Sequence, residues 1–367
     1  MTRLLTCATV VLVGCCGGCS NRPSQGVLLP VAERVEGASR VSILAATTRA
    51  PSKADPGEMF GSERAETTSF AGVTVSVPPD AVRKVGDIQW PATPPGDPHR
   101  DFVTVSADYL DKRSFETALA AAVRQAGHGK VLVFVHGFNT RFDDAIYRFA
   151  QIAHDSKAQA VFVLFTWPSR GEIALRAYTY DRDSATYSRD ALEELLDTIA
   201  RQGSVTDVTV LAHSMGNWLT LETLRSLSIR GKRIGDKIKT VMLVAPDVDV
   251  DIFRTQIQRI AAPRPRFELF VSQDDKALAL SQFIWGGVPR LGEVDPTQEP
   301  YRSEFDRQKM IVFDLTKLRT FNDDAHDRAF EDITSVSAMI RKRLHEGQQI
   351  VETPSGALPV LSGATLR

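Results

Sequence analysis

From residue 130 onward, short apolar runs alternate with stretches of helical periodicity. Residues 131–135 (VLVFV) form a continuous β-branched and aromatic run, as expected of a strand buried on both faces. A helical pattern follows over 142–155, then a second strand over 161–166 (VFVLFT). Residues 184–199 show helical spacing with acidic side chains scattered on one side. A strand at 208–211 (VTVL), a helix at 217–227 and strands at 240–244, 267–271 and 310–313 continue the series, with a last helix from about 328 to 344. Strands alternating with helices predict an α/β fold, a mostly parallel central sheet with helices on both faces. Sites in such sheets lie at the carboxyl ends of the strands.

The N-terminal part is patterned differently. A first strand is expected at 41–46 (VSILAA), followed by β-like runs such as 73–77 and by Pro78, Pro79, Pro91, Pro94, Pro95 and Pro98. That density of proline excludes long helices and favours edge strands and turns. Residues 39–128 are read as an elaboration of one domain spanning 39–345, a small separate module being the alternative. Residues 15–38, rich in Gly, Ser and Pro with isolated charges, read as a flexible tether, and 346–367 as a disordered C-terminal tail.

Charge and cysteine content narrow the class. The 367 residues carry 44 Lys and Arg against 45 Asp and Glu, so no global positive field is available to hold a nucleic acid. All four cysteines, Cys7, Cys15, Cys16 and Cys19, lie at the N-terminus, leaving the body of the chain without a disulfide, a thiolate metal site or a Cys nucleophile. The opening MTRLLTCATVVLVGCC has one Arg, an apolar stretch over 4–13 and then small residues, which is the pattern of a short signal peptide over 1–14. Leu12-Val13-Gly14-Cys15 resembles a bacterial lipobox, in which Cys15 becomes the acylated N-terminus; simple secretion with cleavage near Gly18 is the alternative. Cys16 rather than Asp follows Cys15, which resembles lipoproteins sent to the outer membrane.

The chemistry sits directly after the predicted strands. After 208–211 comes Ala212-His213-Ser214-Met215-Gly216 and then a helical run, a nucleophile elbow with Ala in place of the first Gly of G-x-S-x-G. Small residues are needed on both sides of Ser214 because strand and helix leave it in close contact, and the turn aims the Met215 N–H at a developing oxyanion. His136-Gly137-Phe138-Asn139 follows the VLVFV strand; Gly137 permits a sharp turn that offers the Phe138 N–H as a second oxyanion donor. His136 precedes Ser214, against the chain order Ser, acid, His of this arrangement, and is read as a residue that fixes the loop by hydrogen bonding.

Of the seven histidines only His326 and His345 follow Ser214. His345 belongs to a charged, solvated helix end, whereas His326 lies in a loop where the general base belongs. The acid should follow the strand FELFV, where Asp274 and Asp275 are adjacent. The spacing Asp275-x-x-Leu278 favours Asp275, with Asp274 as the rival and the Asp247/Asp249 loop as a weaker competitor.

These blocks, VLVFVHGFNTRFDDA, FTWPSRG, LAHSMGNWL, APDVDVDIF and SQDDKALALS, together with ATTRAP and FGSERAE, resemble a group of bacterial α/β-hydrolases of uncharacterised substrate with an HGFN signature. Many of its members are described as lipoproteins and the group as esterase- or lipase-like. The resemblance spans about residues 40–345 and implies an α/β-hydrolase fold. It maps the triad to Ser214, Asp275 and His326, and the oxyanion hole to Phe138 and Met215.

Asn139, Trp167 and Tyr180 are weaker candidates for the substrate pocket, and Arg170 for pairing with Asp181 or a substrate anion. No phosphate loop, dinucleotide fingerprint or His-rich metal motif is present, so neither cofactor nor metal is implied. The expected function is a serine hydrolase of the cell envelope, held to the membrane by an N-terminal lipid and acting on a small or lipid-like ester. An acyltransferase or peptidase using the same triad, or a non-catalytic envelope scaffold on this fold, are the alternatives.

Overall fold

The computed structural model describes residues 22–52, 57–284 and 287–316. Within them, nine strands form one sheet in the order β3-β2-β1-β5-β4-β6-β7-β8-β9. The strands are β1 (Ser39–Pro51), β2 (Phe60–Val77), β3 (Val103–Leu110), β4 (Lys130–Val135), β5 (Val161–Thr166), β6 (Asp207–His213), β7 (Ile238–Val244), β8 (Arg266–Val271) and β9 (Ile311–Asp314). Every neighbouring pair from β1 through β9 is parallel, and β2 alone runs against both of its neighbours.

Periodicity of two along β4 explains why both faces are covered. Val131, Val133 and Val135 enter one apolar cluster, and Leu132 and Phe134 the opposite one. The first cluster is closed by α1 (Lys112–Ala126), α4 (Arg189–Arg201), α5 (Met215–Ile229) and α6 (Val250–Arg259). The second is closed largely by α2 (Phe142–Ser156), whose Phe142, Ile146, Phe149 and Ile152 are fully buried. The remaining helices are α3 (Leu175–Tyr187), α7 (Lys276–Ile284) and α8 (Tyr301–Arg307). The helical spacing read over 184–199 resolves into two helices, α3 and α4, meeting at Ser188, whose hydroxyl donates to the Ser184 carbonyl at 2.7 Å.

The proline-rich elaboration is part of this same sheet. Residues 43–47 of β1 pair in parallel with 162–166 of β5, and β2 and β3 extend the sheet outward from there. The expected strand over 41–46 is longer at both ends. The expected helix at 328–344 and the tail at 346–367 lie outside the described residues.

One expectation is corrected. From Arg22 onward the segment assigned to a flexible tether is docked on the domain. Val27 and Leu28 are buried, and the Val27 carbonyl accepts hydrogen bonds from Tyr147 at 3.0 Å and Thr104 at 3.1 Å. Arg141 donates to the Pro23 and Ser24 carbonyls at 2.7 and 3.0 Å. Composition missed this because two apolar residues in a polar run suffice to anchor it once they meet α2. Leu28→Ala should therefore lower the unfolding free energy by about 2–5 kcal/mol in denaturant titration. Leu29→Ala, at a side chain 37% exposed, should stay within about 0.5 kcal/mol. Equal, negligible effects would restore the tether.

Candidate active site

The site is built where β4 and β6 end side by side. Ser214 follows β6 with φ 50° and ψ −123°, a conformation that L-residues adopt only under constraint, costing about 1–3 kcal/mol. Its surroundings supply the constraint. The Ser214 N–H donates to the Val244 carbonyl at 3.0 Å, and the Ser214 carbonyl accepts from the Asn217 N–H at 3.1 Å and the Asp247 N–H at 3.3 Å. The Asn217 side chain, fully buried, donates to both the Ser214 and Val244 carbonyls at 2.9 Å. Asn217 was not anticipated. The signal was available, as an amide in the first turn of a helix that follows the serine.

Two glycines allow strand and loop to meet. A Cβ at Gly137 would stand 2.8 Å from Ser214 Cβ and 2.9 Å from His213 Nδ1, and one at Gly216 would collide with the carbonyls of Val135 and His136. Ala212, in place of the first Gly of the motif, is buried in β6 between β4 and β7 without such a conflict. Met215 opens α5, so its N–H is among the first of that helix, which lack intrahelical acceptors. Phe138 follows Gly137 directly, and its ring packs against Tyr178 with centroids 5.2 Å apart.

His136 is buried and fixes the loop. Its Nδ1 is 2.8 Å from the Gly137 carbonyl, its Nε2 2.9 Å from Thr166 Oγ1, and the Trp167 N–H reaches the same Nε2 at 3.2 Å. Burial and the nearby Arg49 cation push its pKa down to about 3, so the ring stays neutral. Trp167, expected in a pocket wall, is fully buried, stacked on His136 and donating from Nε1 to the His136 carbonyl at 3.1 Å. Tyr180 lies beneath the guanidinium groups of Arg64 and Arg170 and donates its hydroxyl to the Ser62 carbonyl. The Asn139 side-chain oxygen accepts from Arg22 at 3.1 Å. All three weak pocket candidates thus have their recognisable contacts within the protein framework.

The carboxylates after the strands divide by environment. Asp275 is buried and accepts from the N–H groups of Ala277 (3.0 Å) and Leu278 (3.2 Å), capping α7, and Leu278 is itself buried. Asp274 is exposed and accepts from Ser272 Oγ at 2.7 Å. Asp249 caps α6. Asp247 is a clamp: it accepts from the Tyr178 hydroxyl and, at 2.6 Å, from Ser281 Oγ, with Arg290 Nε at 3.5 Å. Glu293, another residue not anticipated, sits close enough to Asp275 and Asp247 that burial and their charges push its pKa up to about 7. His326 lies outside the described residues.

A buried polar layer supports this end of the sheet. Arg49 donates to Thr166 Oγ1 (2.9 Å) and to the carbonyls of Gly61, Ser169 and Thr140. Asp181 accepts from Ser169 Oγ at 2.5 Å and from the Arg170 N–H at 2.8 Å. The Arg170 guanidinium itself stands over Tyr180, so the expected Arg170–Asp181 pairing is made by the backbone. No group of His, Cys, Asp and Glu able to hold a metal occurs among the described residues.

A doubly covered parallel sheet with a strained serine between strand and helix at its carboxyl end defines an α/β-hydrolase fold. The chain belongs to the DUF900 family, described as α/β-hydrolases of unknown function, matched over residues 111–343. An uncharacterized protein of Nostoc sp. is 25% identical over 149 residues, 34% of this chain and 38% of that protein, so the match spans well under half of the relative's length. Among solved structures, the esterase of Pyrobaculum calidifontis is 11% identical, covering 64% of this chain and 94% of its own, with a TM-score of 0.35. Carboxyl esterase 2 of Tuber melanosporum is 12% identical, covering 59% and 79%, with a TM-score of 0.32.

Two of the buried ionisable groups, His136 and Asp181, have opposite effects on acid stability. His136, held neutral down to pH about 3, makes stability rise with pH between 3 and 6.5, because there the unfolded chain binds the extra proton. Asp181, pushed up to about 6 by burial, makes stability fall between about 4 and 6, because there the folded chain binds it. Asp181→Asn removes only the second contribution. Its unfolding free energy should then drop on acidification from pH 6 to 4 more steeply than the parent's, by up to about 1.4 kcal/mol per pH unit. Parallel curves from urea titrations across that range would refute this assignment.

Proposed function

We propose that the chain is a serine hydrolase of the bacterial cell envelope that cleaves carboxylic esters through an acyl-enzyme. The observation that carries this reading is the contact between Gly137 and Ser214. It sets the loop bearing the Phe138 N–H against a serine whose strained turn already leads into the Met215 N–H. In this reading the two N–H groups converge beside the Ser214 hydroxyl, as a tetrahedral oxyanion needs. In this reading Ser214 Oγ attacks the ester carbonyl, passing its proton to His326. The alcohol leaves with that proton, and water activated by His326 then releases the acid. Asp275 holds the imidazole tautomer and stabilises its cation. Burial and the rigid cap of α7 favour Asp275 over exposed Asp274. An acyltransferase or peptidase would use the same groups.

In this reading a signal peptide over 1–14 and acylation of Cys15 hold the protein in the envelope. Two acyl chains or more are needed for firm anchoring, since a single chain binds only marginally.

Ser214→Ala should abolish both hydrolysis of short-chain p-nitrophenyl esters and labelling by a fluorophosphonate, a loss on the order of 10⁴–10⁶ in rate. Retained activity would exclude Ser214 as nucleophile. Asp275→Asn should be far more damaging than Asp274→Asn; the reverse order would move the acid to Asp274. Metabolic labelling with a fatty acid should mark the parent chain and not Cys15→Ser. Equal label in both would place acylation elsewhere, with Cys19 the first suspect.

A further inference from the structure

Four large apolar side chains stand exposed on the two elements that flank Ser214. Ile173 and Leu175, in the connection from β5 and the first turn of α3, are 56% and 62% exposed; Leu280 and Phe283, on α7, are 57% and 81% exposed. Leu280 and Phe283 are three residues apart and share one face of their helix. The two elements are tied together: Tyr178, one turn after Leu175, lies 2.9 Å through its hydroxyl from Ser281 Oγ, and both bind Asp247. The backbone of Asp247 in turn donates to Ser214. The four residues therefore belong to the rim of the proposed catalytic face.

The path of the N-terminal segment leads to the same place. Arg22 donates to the carbonyl and side-chain oxygen of Asn139, at 3.2 and 3.1 Å, and to the Gly171 carbonyl at 2.7 Å, and it pairs with Asp144. Asn139 adjoins the Phe138 loop, and Gly171 lies two residues before Ile173. Only seven residue steps separate Arg22 from Cys15, a reach of about 25 Å at most. A domain of this size is about 50 Å across. A lipid on Cys15 would thus hold this face, rather than the opposite one, near the membrane.

We propose that the catalytic face docks on a lipid bilayer through the apolar rim of Ile173, Leu175, Leu280 and Phe283, and that the ester it cleaves is an acyl ester resident in that bilayer. This rests on the hydrolase and lipoprotein readings above and adds to them the orientation of the enzyme and the class of its substrate. Apolar side chains of this size exposed on two linked elements gain by leaving water, and a bilayer is the apolar phase that the short leash brings within reach.

The test uses the mature, lipid-bearing chain reconstituted in vesicles of phosphatidylethanolamine and phosphatidylglycerol. In Phe283→Trp, brominated lipid should quench fluorescence by at least a quarter more than in the parent. Equal quenching overturns the docking whether or not the triad assignment stands. Ile173→Ser/Leu175→Ser and Leu280→Ser/Phe283→Ser should lose tenfold or more in hydrolysis of a long-chain p-nitrophenyl ester carried in the vesicles, while staying within twofold of the parent on soluble p-nitrophenyl acetate. Undiminished vesicle hydrolysis, or equal loss on both substrates, overturns the proposal. If the parent hydrolyses neither ester, the hydrolase reading and the substrate class fail together, and quenching alone then decides the docking.

Discussion

The carboxyl ends of β4 and β6 come so close that two positions admit no side chain. Gly216 lies against the carbonyls of Val135 and His136, and Gly137 lies against Ser214 itself. This approach fixes the rest of the site. It forces Ser214 into a positive φ, and it stacks the loop after β4 over the turn after β6. It also requires the buried amide of Asn217 to bind two carbonyls that the turn leaves exposed to each other. Each such bond contributes about 0.5–1.5 kcal/mol net, which is of the same order as the strain at Ser214.

Around that contact the protein is polar but closed. His136 is neutral because burial and Arg49 disfavour its cation, so it can accept from the Trp167 N–H while its other nitrogen faces the Gly137 carbonyl. Arg49 brings the end of β1 to the loops after β4 and β5, through Thr140 and Ser169. Removing one partner of such a layer leaves a buried group unsatisfied, at about 1–3 kcal/mol or more for a charged group. This explains how an N-terminal strand far away in sequence becomes part of the site's support.

Much of this was legible in sequence. Strands buried on both faces read as continuous apolar runs, and β4 through β9 were each anticipated close to their observed bounds. The elbow and the HGFN loop were legible because their chemistry is local: a small residue beside a serine, a glycine after a strand. The N-terminal region was harder. Its strands are amphipathic and its prolines disguise their length, so β2 was visible only in its last residues. The docked segment from Arg22 to Leu28 gave no periodic signal, because its anchors are two side chains and a few backbone carbonyls.

The sequence by itself determined the order of the strands from β4 to β9, the parallel sheet and the position of Ser214 between strand and helix, since each follows from periodicity or from the steric needs of a few consecutive residues. Only the tertiary structure decided which polar residues face each other. It set Asn139, Trp167 and Tyr180 against Arg22, His136 and the guanidinium groups of Arg64 and Arg170, made Asp247 the clamp between Tyr178 and Ser281, and set Arg22 beside the loop after β4. Apart from Arg170 over Tyr180, those choices depend on contacts between residues from about 30 to more than 100 positions apart, and a pattern along one chain carries no record of such distances.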